Sequence, residues 1–116
     1  MKLTNLKILT IALLLAPAAA PAAPRAESAQ ECGVAADMAI VARSLAQESI
    51  EQPKAAAIMA RIYDVAESER GKALMKEILD TAYKTDERTG EKFAEELFVT
   101  CMKTSGNMDQ VLGSRL

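Results

Sequence analysis

The sequence predicts an all-α fold: a small up-down bundle of four helices, with a short helical turn after them and one disulfide as a staple. Three observations carry that prediction. Apolar residues recur every three or four positions from about residue 33 onward. No Val/Ile/Thr-rich run alternates with period two, so strands have no support. Two cysteines, Cys32 and Cys101, stand near the two ends of that periodic region.

The first helix is expected over about 33–48. Val34, Met38, Val41 and Leu45 are spaced 4, 3 and 4 apart, which makes one stripe on a 3.6-residue helix. Ala35, Ala39, Ala42 and Ala46 widen the stripe and favour helix. Pro53 fits the first position of a second helix, where its missing N–H costs nothing. That helix is expected over 53–66, with Ala55, Ile58, Met59, Ile62 and Tyr63 inward and Lys54, Arg61 and Asp64 off the face. Ser68 is read as the cap of a third helix with Glu69 in its positive first turn. Its stripe is Leu74, Met75, Ile78, Leu79, Ala82 and Tyr83, and Asp80 and Lys84 form an i,i+4 pair outside it. The polar run 85–90 reads as a turn. A fourth helix begins near 89–91 and turns Phe93, Ala94, Leu97, Phe98 and Cys101 inward, with Gly106 as its C′ residue. Asn107 can cap a fifth turn, with Gln110 completing a weak capping box and Val111 and Leu112 docking. Ile58, Ile62, Leu79 and Leu97 lie at the centres of their stripes and are the expected core.

The chain divides into three parts. Residues 1–22 read as a secretory signal peptide: Lys2 and Lys7, then the eight-residue apolar run Ile8–Leu15, then small residues. That run is shorter than the roughly 20 residues a membrane span needs. Ala20 and Ala22 fit the −3 and −1 positions of a cut before Ala23; cuts after Ala18 or Ser28 satisfy the same rule. Residues 23–30 lack a periodic face and read as a flexible segment. Residues 31–116 then form one helical domain.

Export and an even cysteine count make an intramolecular Cys32–Cys101 disulfide the default. Closing so long a loop is worth roughly 4 kcal/mol on a chain-entropy estimate. Cys32 is no lipoprotein cysteine, because Glu31 precedes it and the apolar run is distant. The expected destination is the periplasm, or the medium, without membrane insertion after cleavage.

Composition narrows the function. Losing Lys2 and Lys7 leaves 12 basic and 16 acidic residues, a net charge of −4. Nucleic-acid binding and adhesion to anionic membranes call for the opposite sign. The sequence has no His, which excludes Ser-His-Asp and Cys-His hydrolases and the usual His-containing zinc sites. Ser68 and Lys72 are one residue too far apart for the Ser-x-x-Lys spacing. Glu87, Glu91, Glu95 and Glu96 read as a wet face rather than a catalytic carboxylate pair. With Gly90 at position 6 of a calcium loop, Glu87 and Glu96 fit but Thr85 and Thr89 replace the needed acids. Met38, Met59, Met75, Met102 and Met108 could suggest copper, yet they are spread along the chain like core filler. No catalytic residue, metal or cofactor is therefore expected.

The leader, two distant cysteines and helical body resemble small exported proteins of Gram-negative bacteria. In architecture the chain also looks like the acid-stress periplasmic chaperones, small helical proteins with one long-range disulfide. That likeness rests on Cys32, Cys101 and size. It implies a binding role; an acid trigger would have to act through Asp and Glu. The expected function is to bind another periplasmic or secreted protein, as a stress chaperone, an inhibitor or immunity factor, or an envelope accessory, with a homodimer also open. A ligand carrier or small carboxylate enzyme is the alternative, and a calcium- or copper-binding protein is a further one. A hot spot should centre on whichever of the four aromatics, Tyr63, Tyr83, Phe93 and Phe98, is exposed.

Overall fold

The computed structural model describes residues 25–65, 68–84 and 88–113. The expected signal peptide lies outside the described residues. Four major helices and one short one follow in order: α1 (Ala29–Gln47), α2 (Gln52–Tyr63), α3 (Glu69–Lys84), α4 (Gly90–Lys103) and α5 (Asp109–Leu112). The fold is an all-α bundle.

The links set alternating directions. Tyr63 at the end of α2 reaches Asp37 on α1, and Gln52 at the start of α2 reaches Asp80 late in α3. Arg70 early in α3 pairs with Glu31 early in α1. Gly90 opens α4 beside Ile40 of α1, and Cys101 near its end is bonded to Cys32. The Cα atoms of the two cysteines are 5.7 Å apart. So α1 and α4 run antiparallel, as the cysteine positions require of an up-down bundle.

Helix α1 is central and packs on α4, α3 and α2. That position explains a rotation of its buried face from the expected one. Cys32, Ala35, Met38, Ala39 and Ala42 are buried, Val41 and Leu45 are half-buried, and Val34 is exposed. A helix with neighbours on several sides brings its small residues to the closest contacts. The same holds in α2. Ala55 and Met59 are buried, Ile58 is half-buried and Ile62 is 55% exposed, so Ile62 is not core. Leu79 and Leu97 are buried as expected.

Three helices leave through left-handed residues that are not glycine: Ser49 (φ 62°), Asp64 (φ 51°) and Ser105 (φ 56°). After α1, the Ser49 N–H donates to Ala46 and the Ile50 N–H to Leu45, forming a Schellman motif with Ser at C′. After α4, Ser105 rather than Gly106 takes C′. Gly106 is one residue later, with φ 94°, and donates to the Cys101 carbonyl. Asn107 does not cap α5 as expected: the N-cap is Met108, with no side-chain cap bond, and the Asn107 side chain accepts from Asp109 N–H at 2.8 Å in a local turn just before it.

Within the segment 23–30 that was expected to be flexible, residues 25–28 lie against the bundle. Ala26 N–H donates to the Gly106 carbonyl at 2.9 Å, and Arg25 bridges Asn107. Ala26 is buried. A Cβ at Gly106 would run into the Ala26 carbonyl oxygen, so glycine makes this approach feasible. Ser28 caps α1 by accepting from Glu31 N–H. The packed residues thus begin before residue 31, and α1 itself begins at Ala29. A short strap crosses the end of the bundle that holds the disulfide.

Candidate interaction surface

Seen from the sequence, all four aromatics were candidates. The structure separates them. Phe93 is fully buried in the core, with the Arg88 guanidinium over its ring at 5.7 Å from the centroid. Tyr63 is half-buried and donates its hydroxyl to Asp37 at 2.5 Å. Burial and then that carboxylate push its ionisation upward. Tyr83 is half-buried and donates to the Ile50 carbonyl at 2.6 Å, tying α3 to the α1–α2 link. Burial raises its ionisation too. Phe98 is exposed at 38%.

Phe98 does not stand alone. Met102 lies one turn on and is 47% exposed, and Val99 beside them is exposed as well. On α1, Ile40 is exposed next to Gly90. A hollow of about 250 Å³ beside the disulfide is edged by Ala29 of α1 and Met102 of α4. Met102 thus borders α1 at the disulfide end, while Ile40 is a separate exposed apolar side chain at the other end of α4. Phe98, Val99 and Met102, at positions i, i+1 and i+4 of one helix, make a short apolar strip, the kind of surface that marks association sites.

The remaining sequence candidates are placed as follows. Ser68 accepts from Gly71 N–H at 2.9 Å, which is a cap geometry, while Lys72 pairs with Glu69. Asp80 makes its contact pair with Lys76 at 2.8 Å, while Lys84, the expected partner, acts on it only through its charge. Burial pushes Asp80 up, but hydrogen bonds from Lys76 and Gln52 outweigh it and hold the carboxyl below its ordinary range. Glu91 and Glu95 are exposed, and Glu96 pairs with Arg88 at 3.3 Å. Thr85 and Glu87 lie outside the described residues. Met38, Met59, Met75 and Met108 are buried core; Met102 is in the exposed strip. Among the described residues no three His, Cys, Asp or Glu side chains cluster for a metal, and no helix is long and apolar enough to cross a membrane.

Two further hollows lie among the described residues. One of about 480 Å³ lies between α2 and α3, over Pro53, Ala56, Met75 and Leu79. Its polar rim is occupied internally, since Gln52 and Lys76 both donate to Asp80. The other, of about 160 Å³, lies between α1 and α3 near Val34 and Leu74.

Sequence reading missed Arg43, which is only 4% exposed. Its Nη1 donates to the Ala82 carbonyl at 2.7 Å and its Nε to the Arg88 carbonyl at 2.9 Å. Ala82 lies in the last turn of α3, where free carbonyls and the helix dipole favour a cation. Arg43 thus locks the two ends of the α3–α4 link onto α1. A signal was present: Arg43 continues the i,i+4 row of Ala35 and Ala39. Comparison with protein-family models, with curated proteins and with solved structures finds no match for the chain.

Proposed function

We propose that the mature chain works in the periplasm as a non-enzymatic protein that binds another protein through the Phe98–Met102 strip. The observation that carries this reading is the fate of the aromatics. Phe93 is in the core, both tyrosines are tethered by hydrogen bonds, and Phe98 is exposed among apolar neighbours. Exposed aromatic and Met side chains in a contiguous apolar patch suit a protein partner. The leader and the disulfide support an oxidising compartment. The α2–α3 groove offers a carrier reading less support, because its polar groups satisfy each other rather than converge on a ligand.

The test is affinity capture from envelope extracts with the native chain and with Phe98→Glu. The strip reading expects a specific partner held by the native chain and lost from the variant, whose helix content stays unchanged. Equal capture by both would contradict it.

A further inference from the structure

The side chains that take oxygen from a peroxide most readily are cysteine and methionine, and this chain has no His and no Trp to compete with them. Cys32 and Cys101 are bonded to each other, and no described cysteine is free. Of the six methionines, Met1 lies outside the described residues. Met38, Met59, Met75 and Met108 are no more than 8% exposed, whereas Met102 is 47% exposed. Met102 also lines the hollow of about 250 Å³ beside the disulfide. A water molecule takes up about 30 Å³ of liquid, so that hollow has room for a peroxide next to this side chain. Among the described residues, the structure therefore offers an oxidant one accessible sulfur that is still reduced.

We propose that Met102 is an oxidation site for two-electron oxygen donors of the hydrogen peroxide class, and that its sulfoxide removes the apolar character of the Phe98–Met102 strip. The thioether sulfur gives a lone pair to one peroxide oxygen. An S–O bond forms, the O–O bond breaks, and the departing hydroxide takes the proton of the transferred hydroxyl and leaves as water. Sulfur is oxidised and the peroxide reduced, so no further reactant is needed. The product is a polar sulfoxide in place of an apolar thioether. At the four buried positions a sulfoxide would be desolvated without a partner, so those sulfurs react only when the bundle opens. At Met102 water solvates it and the helices stay packed. Phe98 and Val99 lie four and three residues before Met102 on α4, the spacings of helix-surface neighbours, so the new dipole is set beside both. The consequence for a partner rests on the reading of the strip as a binding surface; the oxidation site itself does not.

Treatment of the mature, disulfide-bonded protein with hydrogen peroxide at neutral pH tests this, read by peptide mass mapping. Met102 is expected to gain one oxygen at least about tenfold faster than Met38, Met59, Met75 or Met108. Helix content and thermal midpoint should be retained, and the oxidised protein should elute earlier from a hydrophobic-interaction column. The two methionine sulfoxide reductases, one for each epimer, should restore both mass and retention. Met102→Leu keeps the apolar bulk, so it should take up no oxygen on the same timescale and keep its retention under peroxide. Equal rates at all five methionines, a first oxygen at a buried one, unfolding that accompanies the first oxygen, or a Met102 sulfoxide that leaves retention unchanged overturns the proposal. Selective oxidation with the expected retention shift, in a chain whose Phe98→Glu variant captures the same proteins as native, supports the oxidation site and contradicts only the binding role of the strip.

Discussion

At the scale of single residues, the most informative is Arg43. It is a buried cation with carbonyl oxygens in place of a carboxylate. Replacing it by Met keeps much of the volume and strands two acceptors. The expected cost is about 2–4 kcal/mol, since a charge-assisted bond is lost and buried carbonyls go unpaired. Lys should recover only part of that, because one ammonium cannot reproduce the guanidinium fork. Urea denaturation of the native chain, Arg43→Met and Arg43→Lys checks the order. A second pair of residues tests the corrected core. Leu97→Ala is expected to cost about 2–5 kcal/mol through lost burial and a residual cavity. Ile62→Ala, at an exposed position, should cost less than about 1 kcal/mol. These two leucine- and isoleucine-centred stripes look equally apolar in the sequence. Only the packing of α2 against α1 and α3, and not against α4, tells them apart.

At the scale of elements, the strap over residues 25–28 and the turns after α1 and α4 are the features least visible in the sequence. Helix propensity and periodicity mark where helices run, and α3 and α4 lie close to where their stripes place them. The left-handed exits carry Ser49, Asp64 and Ser105 instead of the glycine that announces such a turn. The strap has no period because it buries one side chain, Ala26, against Gly106 rather than a face. Its electrostatic anchor is Arg70 of α3, which reaches Glu31 at 2.5 Å and Glu27 at 3.3 Å. The Arg70 hydrogen bond, and then the Glu27 backbone N–H, hold the Glu31 carboxyl below its ordinary range. A depressed folded-state pKa contributes stability that is present above the unfolded value, near 4.3, and is lost as pH falls through the folded value. Asp80, also held low, acts in the same sense. With no His in the chain, these groups leave stability flat across pH 5–8 and remove it in acid. Glu31→Gln should therefore be less stable than native by a constant amount at pH 5–8, and the gap should close towards pH 2. Urea midpoints across that range check this. A gap that opens or closes near pH 6 would assign the effect to another group.

At the scale of the molecule, the disulfide and the helix directions describe one arrangement from two sides. Cys32 begins α1, Cys101 nearly ends α4, and an up-down bundle places those ends together. That agreement made the architecture legible, because two cysteines far apart in sequence can meet only in some helix orders. The rotation of α1 was not legible. Val34 and the alanines are all apolar, and the choice between them depends on how closely α4 approaches. The exposed apolar strip on α4 was half legible: Phe98 was among the aromatic candidates, but its exposure depends on which side of α4 the core takes. Cys101→Ser should cost about 2–5 kcal/mol, read from the shift in denaturation midpoint under non-reducing conditions. A midpoint unchanged from native would mean that the pairing of α1 and α4 needs no covalent staple.

On the proposed function, the protein meets its partner at the exposed Phe98 strip of α4 rather than at any other part of the surface. Site-specific photo-crosslinking in the cell envelope measures that directly, with the reactive group at position 98 in one variant and at the exposed Lys54 on α2 in the other. A discrete covalent adduct from position 98 and none from position 54 is the predicted result. No adduct at position 98, or equal adducts from both positions, would rule out the Phe98 strip as the binding surface.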